Sequence, residues 1–240
     1  GVDGIRLDVV NYYYHSPLLQ NNPPKTAAQR AAFMGLKSNP YNDQIHLFDK
    51  SQPENLEFLS CLRELIDRYP NRTLLGEIGD DYAAELMGQY TDGNDKLHMA
   101  YCFRLLREHH SAHYVRDAVE EHERHIANGW PCWSMSNHDT ERVATRWAAE
   151  NTSHPQQAFL YLALLLSLRG SACVYYGEEL GFSEAALAYE EIQDPFGLAF
   201  WPNYKGRDGC RTPMVWNASA TYGGFSELPP WLPLCELHRE

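Results

Sequence analysis

Apolar residues come in short runs separated by longer amphipathic stretches. Val2 to Val10 tends toward a continuous apolar run, as expected of a parallel strand covered on both faces. Thr73 to Ile78, Leu97 to Phe103, Pro131 to Ser136 and Ser171 to Tyr176 repeat that signature. Between them lie helical patterns. Pro53 opens one with Leu56, Leu59, Leu62, Leu65 and Ile66 on a single stripe, closed by Pro70. Asp80 and Asp81 are candidate caps for a short helix through Leu86. Ala112 to Ala127 and the apolar segment from Pro155 to Leu168 predict two more, the last with the character of a buried helix. The polar stretch from Ser16 to Asp49, rich in Pro and Asn, is too long for a plain connection and therefore reads as functional. From Gly177 onward the pattern predicts loop without a helix.

Strands alternating with helices predict βα units and a parallel sheet. Five such strands fall short of the eight of a closed barrel, so the expected fold is α/β and part of a barrel. No internal repeat and no low-complexity tract interrupts the pattern.

In βα barrels, functional groups gather where strands end and loops begin. Three acids stand there: Asp8 closing the first strand, Glu77 closing the second, and Asp139 past the fourth. Glycosidic hydrolysis needs one carboxylate as nucleophile and one carboxylic acid for the leaving oxygen, about 5–5.5 Å apart when configuration is retained. A single Asp after a strand is more simply a helix cap or turn residue. Three acids at the C-terminal ends of strands, with Arg6 and His138 beside two of them, favour a site.

GVDGIRLDVVN, LLGEIGD and SMSNHD, in that order, resemble the three catalytic segments of glycoside hydrolase family 13, the α-amylase family. KLHMAYCF, VYYGEELGF and DPFGLAFWPNYKGRDGCRTPMVW are similar to its bacterial α-glucosidase and oligo-1,6-glucosidase-like branch. The resemblance implies that residues 1–240 form one partial catalytic domain, about strands 4 to 8 of a TIM (β/α)8 barrel. Strands 1–3, an inserted domain and a C-terminal β domain would lie outside it. It implies Asp8 as nucleophile, Arg6 orienting it, Glu77 as acid/base, and His138 and Asp139 on hydroxyls of the cleaved glucose. Either Arg207 or Arg211 would reach the terminal glucose. Phe103 is an aromatic wall or an ordinary strand residue. Glu178 and Glu179 would be structural.

The expected activity is retaining, exo-acting release of terminal α-D-glucose from short α-glucoside oligosaccharides, α-1,4 favoured over α-1,6, with transglucosylation. A sucrose- or trehalose-directed transferase or isomerase would use the same acids. A non-catalytic transporter subunit typically loses one of them, and here all three stand. Expected cofactors are none, any Ca or Mg site of the family falling upstream.

Composition narrows the picture little. A net charge of −12 argues against nucleic acid or an anionic membrane as partner. No apolar run reaches the ~18 residues of a membrane span. The six cysteines, Cys61, Cys102, Cys132, Cys173, Cys210 and Cys235, show no metal-ligand or redox spacing. Three of them sit in strand-like runs where free thiols pack, which predicts a reducing, cytoplasmic setting and no metal site. Among the histidines, His109, His110, His122 and His125 read as solvated or capping.

Overall fold

The computed structural model describes residues 1–32, 39–80, 82–126, 128–148 and 154–239. Five strands, β1 (Gly4–Leu7), β2 (Thr73–Gly76), β3 (Met99–Cys102), β4 (Pro131–Trp133) and β5 (Ser171–Ala172), follow one another along a sheet in chain order. β1 pairs with β2, β2 with β3, and β4 with β5, all parallel. Helices occupy the connections: α1 (Ala27–Ala32), α2 (Glu54–Ile66), α3 (Ala83–Thr91), α4 (Ala112–His125), α5 (Val143–Arg146), α6 (His154–Ser167) and α7 (Pro195–Phe200). This is the βα alternation that the periodicity predicts.

Every strand is shorter than its apolar run. Residues past each end, Asp8 and Glu77 among them, lie outside the assigned strands. Periodicity reports burial, whereas a strand ends where its neighbour stops pairing.

The chain divides into two compact units, Gly1–Tyr101 with Glu121–Pro131, and Cys102–Glu120 with Cys132–Glu240. In the first, Leu59, Leu74, Met87, Tyr90 and Ala100 make up much of the core. The buried face of α2 runs through Asn55, Leu59 and Ile66, while Leu65, expected on the stripe, is 46% exposed. Asn55 tolerates burial because its Nδ2 donates to the Val10 carbonyl at 2.9 Å and to the Tyr90 hydroxyl at 3.0 Å. Asp80 accepts from the Tyr82 amide at 3.0 Å just ahead of α3. Asp81, Ala127 and part of the 16–49 stretch lie outside the described residues.

In the second unit Phe182, Met214 and Val215 form a cluster against Tyr176 and Leu234. Two expectations are corrected there. The region after Gly177 contains α7, started by Asp194 as N-cap and Pro195 at the first helical position. Helix α6 is not buried all round: Ala158, Tyr161 and Leu165 form its buried stripe, and Phe159, Leu160 and Leu166 are exposed.

Candidate active site

Parallel pairing of β1 and β2 sets Gly4 to Leu7 against Thr73 to Gly76, residue for residue. The next residue on each strand is therefore Asp8 and Glu77, and the Glu77 amide continues the ladder to the Leu7 carbonyl at 3.0 Å. Two strand-end acids become neighbours through register alone. Arg6, two residues before Asp8 and so on the same face of β1, spans both. Its Nη1 donates to Asp8 Oδ1 and its Nη2 to Glu77 Oε2, each at 2.6 Å.

The two carboxyls differ in environment. Glu77 is 8% exposed, whereas the Asp8 side chain is 72% exposed. Burial pushes the Glu77 pKa up, the Val9 amide and the Arg6 charge pull it down, and a hydrogen bond with Asp8 together with the Asp8 charge push it up again; the net shift is upward.

Val9 completes the cluster in a way the sequence does not announce. It sits at φ 37°, ψ 51°, in the left-handed region that a β-branched residue rarely adopts. From there its amide points to Glu77 Oε2 at 3.2 Å. Behind it, fully buried Asn11 clasps Gly79, accepting from its amide at 3.1 Å and donating to its carbonyl at 3.2 Å. Lys50 Nζ reaches the same carbonyl at 3.0 Å, and Ser51 Oγ donates to Asp80 Oδ2 at 2.8 Å. The long 16–49 stretch thus leads into residues that brace the turn after Glu77.

In the second unit Asp139 is the centre of its own cluster. Asn137 Oδ1 accepts from the Asp139 amide and the Thr140 hydroxyl, both at 2.9 Å, folding the SNHD segment into a tight turn past β4. His138 Nε2 lies 3.4 Å from Asp139 Oδ2. Both Arg207 and Arg211 meet Asp139. Arg207 Nη1 reaches Asp139 Oδ1 at 3.0 Å and Arg211 Nη2 reaches it at 2.9 Å. Arg211 Nε also donates to the His138 carbonyl at 2.7 Å. Asp194, which sequence reasoning missed, holds Arg207 from behind. An Asp-Pro pair ahead of an apolar segment is a helix-start signature and was the available signal.

Phe103 lies just past β3, half-buried, at the start of the 3-10 turn Arg104–Leu106. Glu178 is buried, accepts from the Tyr175 amide at 2.9 Å, and is pushed up to about 7 mainly by burial. His122 is 2% exposed rather than solvated, whereas His125 lies 3.6 Å from Glu85. Among the described residues, Cys102 and Cys132 are buried in their strands and form no disulfide, and no cluster of three or more His, Cys, Asp or Glu could hold a metal ion. No helix there is long and apolar enough to cross a membrane.

Comparison with known proteins bears on these clusters. The Alpha-amylase family, described as the alpha amylase catalytic domain, matches residues 1–240. A probable alpha-glucosidase of Rhizobium meliloti (strain 1021) is 47% identical over 99% of this chain and 43% of its own length. The crystal structure of an alpha-glucosyl transfer enzyme, XgtA, superposes with TM-score 0.92 at 49% identity, over 100% of this chain and 44% of that one. The Bacillus licheniformis trehalose-6-phosphate hydrolase TreA, at 21% identity and TM-score 0.76, covers 100% of this chain and 45% of its own, and shares the fold. The chain therefore spans less than half the length of these relatives. Its five parallel strands are part of a TIM barrel, and the chain belongs to the alpha-amylase catalytic-domain family, glycoside hydrolase family 13.

Proposed function

We propose that the protein carrying this chain is a retaining, exo-acting α-glucosidase that releases terminal α-D-glucose from short oligosaccharides, favours α-1,4 over α-1,6 bonds, and transfers glucose to sugar acceptors. The observation that carries the reading is the single guanidinium of Arg6 joining Asp8 and Glu77 at 2.6 Å each. It holds an exposed carboxylate beside a buried carboxyl whose pKa is raised, an asymmetry suited to the division of labour that double displacement needs.

In that mechanism Asp8 attacks the anomeric carbon while Glu77 gives its proton to the departing glycosidic oxygen. A β-glucosyl ester forms on Asp8. Glu77, now ionised, takes a proton from water, whose oxygen displaces Asp8 and restores the α configuration. His138 and Asp139 hold hydroxyls of the glucose, Asp139 more strongly as the oxocarbenium character grows. Arg207 and Arg211 keep Asp139 oriented. When an acceptor hydroxyl replaces water in the second step, glucose is transferred instead of released. That second reading is favoured by the 49% identity to an alpha-glucosyl transfer enzyme.

The test is the full-length protein on maltose, isomaltose, sucrose and p-nitrophenyl α-glucoside, with the first-formed anomer followed by proton NMR. α-Glucose appearing first, with maltose cleaved faster than isomaltose, is the expected result. β-Glucose first would overturn retention. No turnover on any of the four would favour a non-catalytic relative, and sucrose converted to an isomer would favour an isomerase.

A further inference from the structure

We propose that Asp194 is a positioning residue for the reaction, touching no substrate and acting by locking Arg207 against Asp139. The inference rests on the reading of Asp139 as a sugar-holding carboxylate. Asp194 is N-cap to a helix of only six residues, yet its Oδ1 accepts from the Phe196 amide at 3.3 Å, its longest bond. The other three bonds all go to Arg207. Oδ2 accepts from the Arg207 amide and from Nε, both at 2.9 Å, and Oδ1 accepts from Nη2 at 3.1 Å. This is a two-pronged carboxylate–guanidinium fork with the backbone amide added, a geometry that fixes both angle and distance. Nη1 is left to meet Asp139.

The fork is built on a buried base. The Asp194 side chain is fully shielded from solvent, and its own position is set by Asp208, 1% exposed. Asp208 Oδ2 accepts from the amides of Gln193 and Asp194 at 2.6 and 2.7 Å. Two glycines let the segments meet. A side chain on Gly206, at φ +83°, would come within 2.9 Å of the Gly197 Cα and 3.0 Å of Asp194 Oδ2. The Asp194 bonds hold the Arg207 guanidinium well above its ordinary pKa, so it stays charged at any working pH. Among the described residues Arg211 has no such carboxylate behind it: its guanidinium meets the His138 carbonyl and Asp139 itself. Of the two arginines on Asp139, one is pre-set by the fold and the other is held by the site.

The experiment is a double-mutant cycle in the full-length protein, assayed on p-nitrophenyl α-glucoside. Asp194→Asn keeps the cap oxygen and removes the charge. It is expected to lower kcat/KM at least tenfold, about 1.4 kcal/mol, with the loss in kcat and KM within about twofold. In an Arg207→Met background the same substitution is expected to change kcat/KM less than twofold. Equal losses in both backgrounds would mean that Asp194 acts as a structural cap, and would overturn the proposal. Should Asp194→Asn fail to fold, Asp194→Ser keeps a capping oxygen and carries the same comparison. A second readout does not depend on turnover. In protein labelled with ¹⁵N-arginine, the Arg207 Nε–H signal, assigned by its loss in Arg207→Lys, should exchange with water at least tenfold faster in Asp194→Asn. Unchanged exchange overturns the lock even if α-glucosides are cleaved. Faster exchange in a protein that cleaves none would uphold the lock and refute the glucosidase reading instead.

Discussion

Glu77 carries the clearest pH consequence. Its folded pKa is raised, so the protonated form that a general acid needs survives to higher pH than in a free glutamate. Activity should therefore fall on the alkaline side as pH rises through that folded value. Glu77→Gln, which cannot exchange the proton, is expected to lose about 10²–10⁴-fold in rate and to lose the alkaline limb. A full-activity mutant with an unchanged limb would remove Glu77 from the role. Glu178 makes a stability prediction instead. Its folded value of about 7 lies above that of a free glutamate, so its contribution is complete below about 4.5 and is lost as pH rises toward 7. Replacing it by Gln, which keeps an oxygen for the Tyr175 amide, should stabilise the protein at pH 8 by up to about 3 kcal/mol. At pH 4 the change should be small. Denaturant titrations at the two pH values check the difference.

At the scale of elements, close approach is the feature most open to test. A carbon added at Gly197 in α7 would stand 2.6 Å from the Lys205 carbonyl and 3.0 Å from the Gly206 Cα, both backbone. Gly197→Ala is therefore expected to cost about 1–3 kcal/mol of stability and to lower activity by displacing the segment that bears Arg207. Gly4→Ala, whose added carbon meets its nearest atom at 3.4 Å, should cost much less. Thermal melts of the two variants side by side give the answer. The sequence carries β1, β2 and α2 openly, because burial patterns and Pro53 are local signals. Asp8 and Glu77 are readable as strand-end acids for the same reason. The pairing of Arg6 with Glu77 is not, since it depends on register between two strands and joins residues 71 positions apart. Nor is the Asp194 fork, where two loop segments meet through glycines whose purpose appears only once the other segment is in place. Val9 reads as an ordinary strand residue, and its left-handed backbone follows from the turn it must make toward Glu77.

At the scale of the whole molecule, β1 is exposed where a parallel strand is ordinarily covered: Gly4, Ile5 and Arg6 are all open, Ile5 at 41% and nearby Val2 at 66%. With Phe159, Leu160 and Leu166 bare on α6, residues 1–240 expressed alone should self-associate and turn over no p-nitrophenyl α-glucoside. Sedimentation velocity and a parallel assay of the full-length protein test this. A monodisperse monomer with equal turnover would show that the exposed strand needs no cover. The parallel β1–β2 ladder also sets the order of assembly in time. Its contacts close a long stretch of chain, and the entropy of that closure must be met before any ladder bond rewards it. Helix α2, by contrast, is held by bonds a few residues long. During refolding, pulse-labelled hydrogen exchange should find the α2 amides protected first. The Val10 amide, which donates to the Glu77 carbonyl at 2.8 Å, should follow later. Turnover should return no sooner than that amide, which makes recovered activity a clock for the last crossover to close.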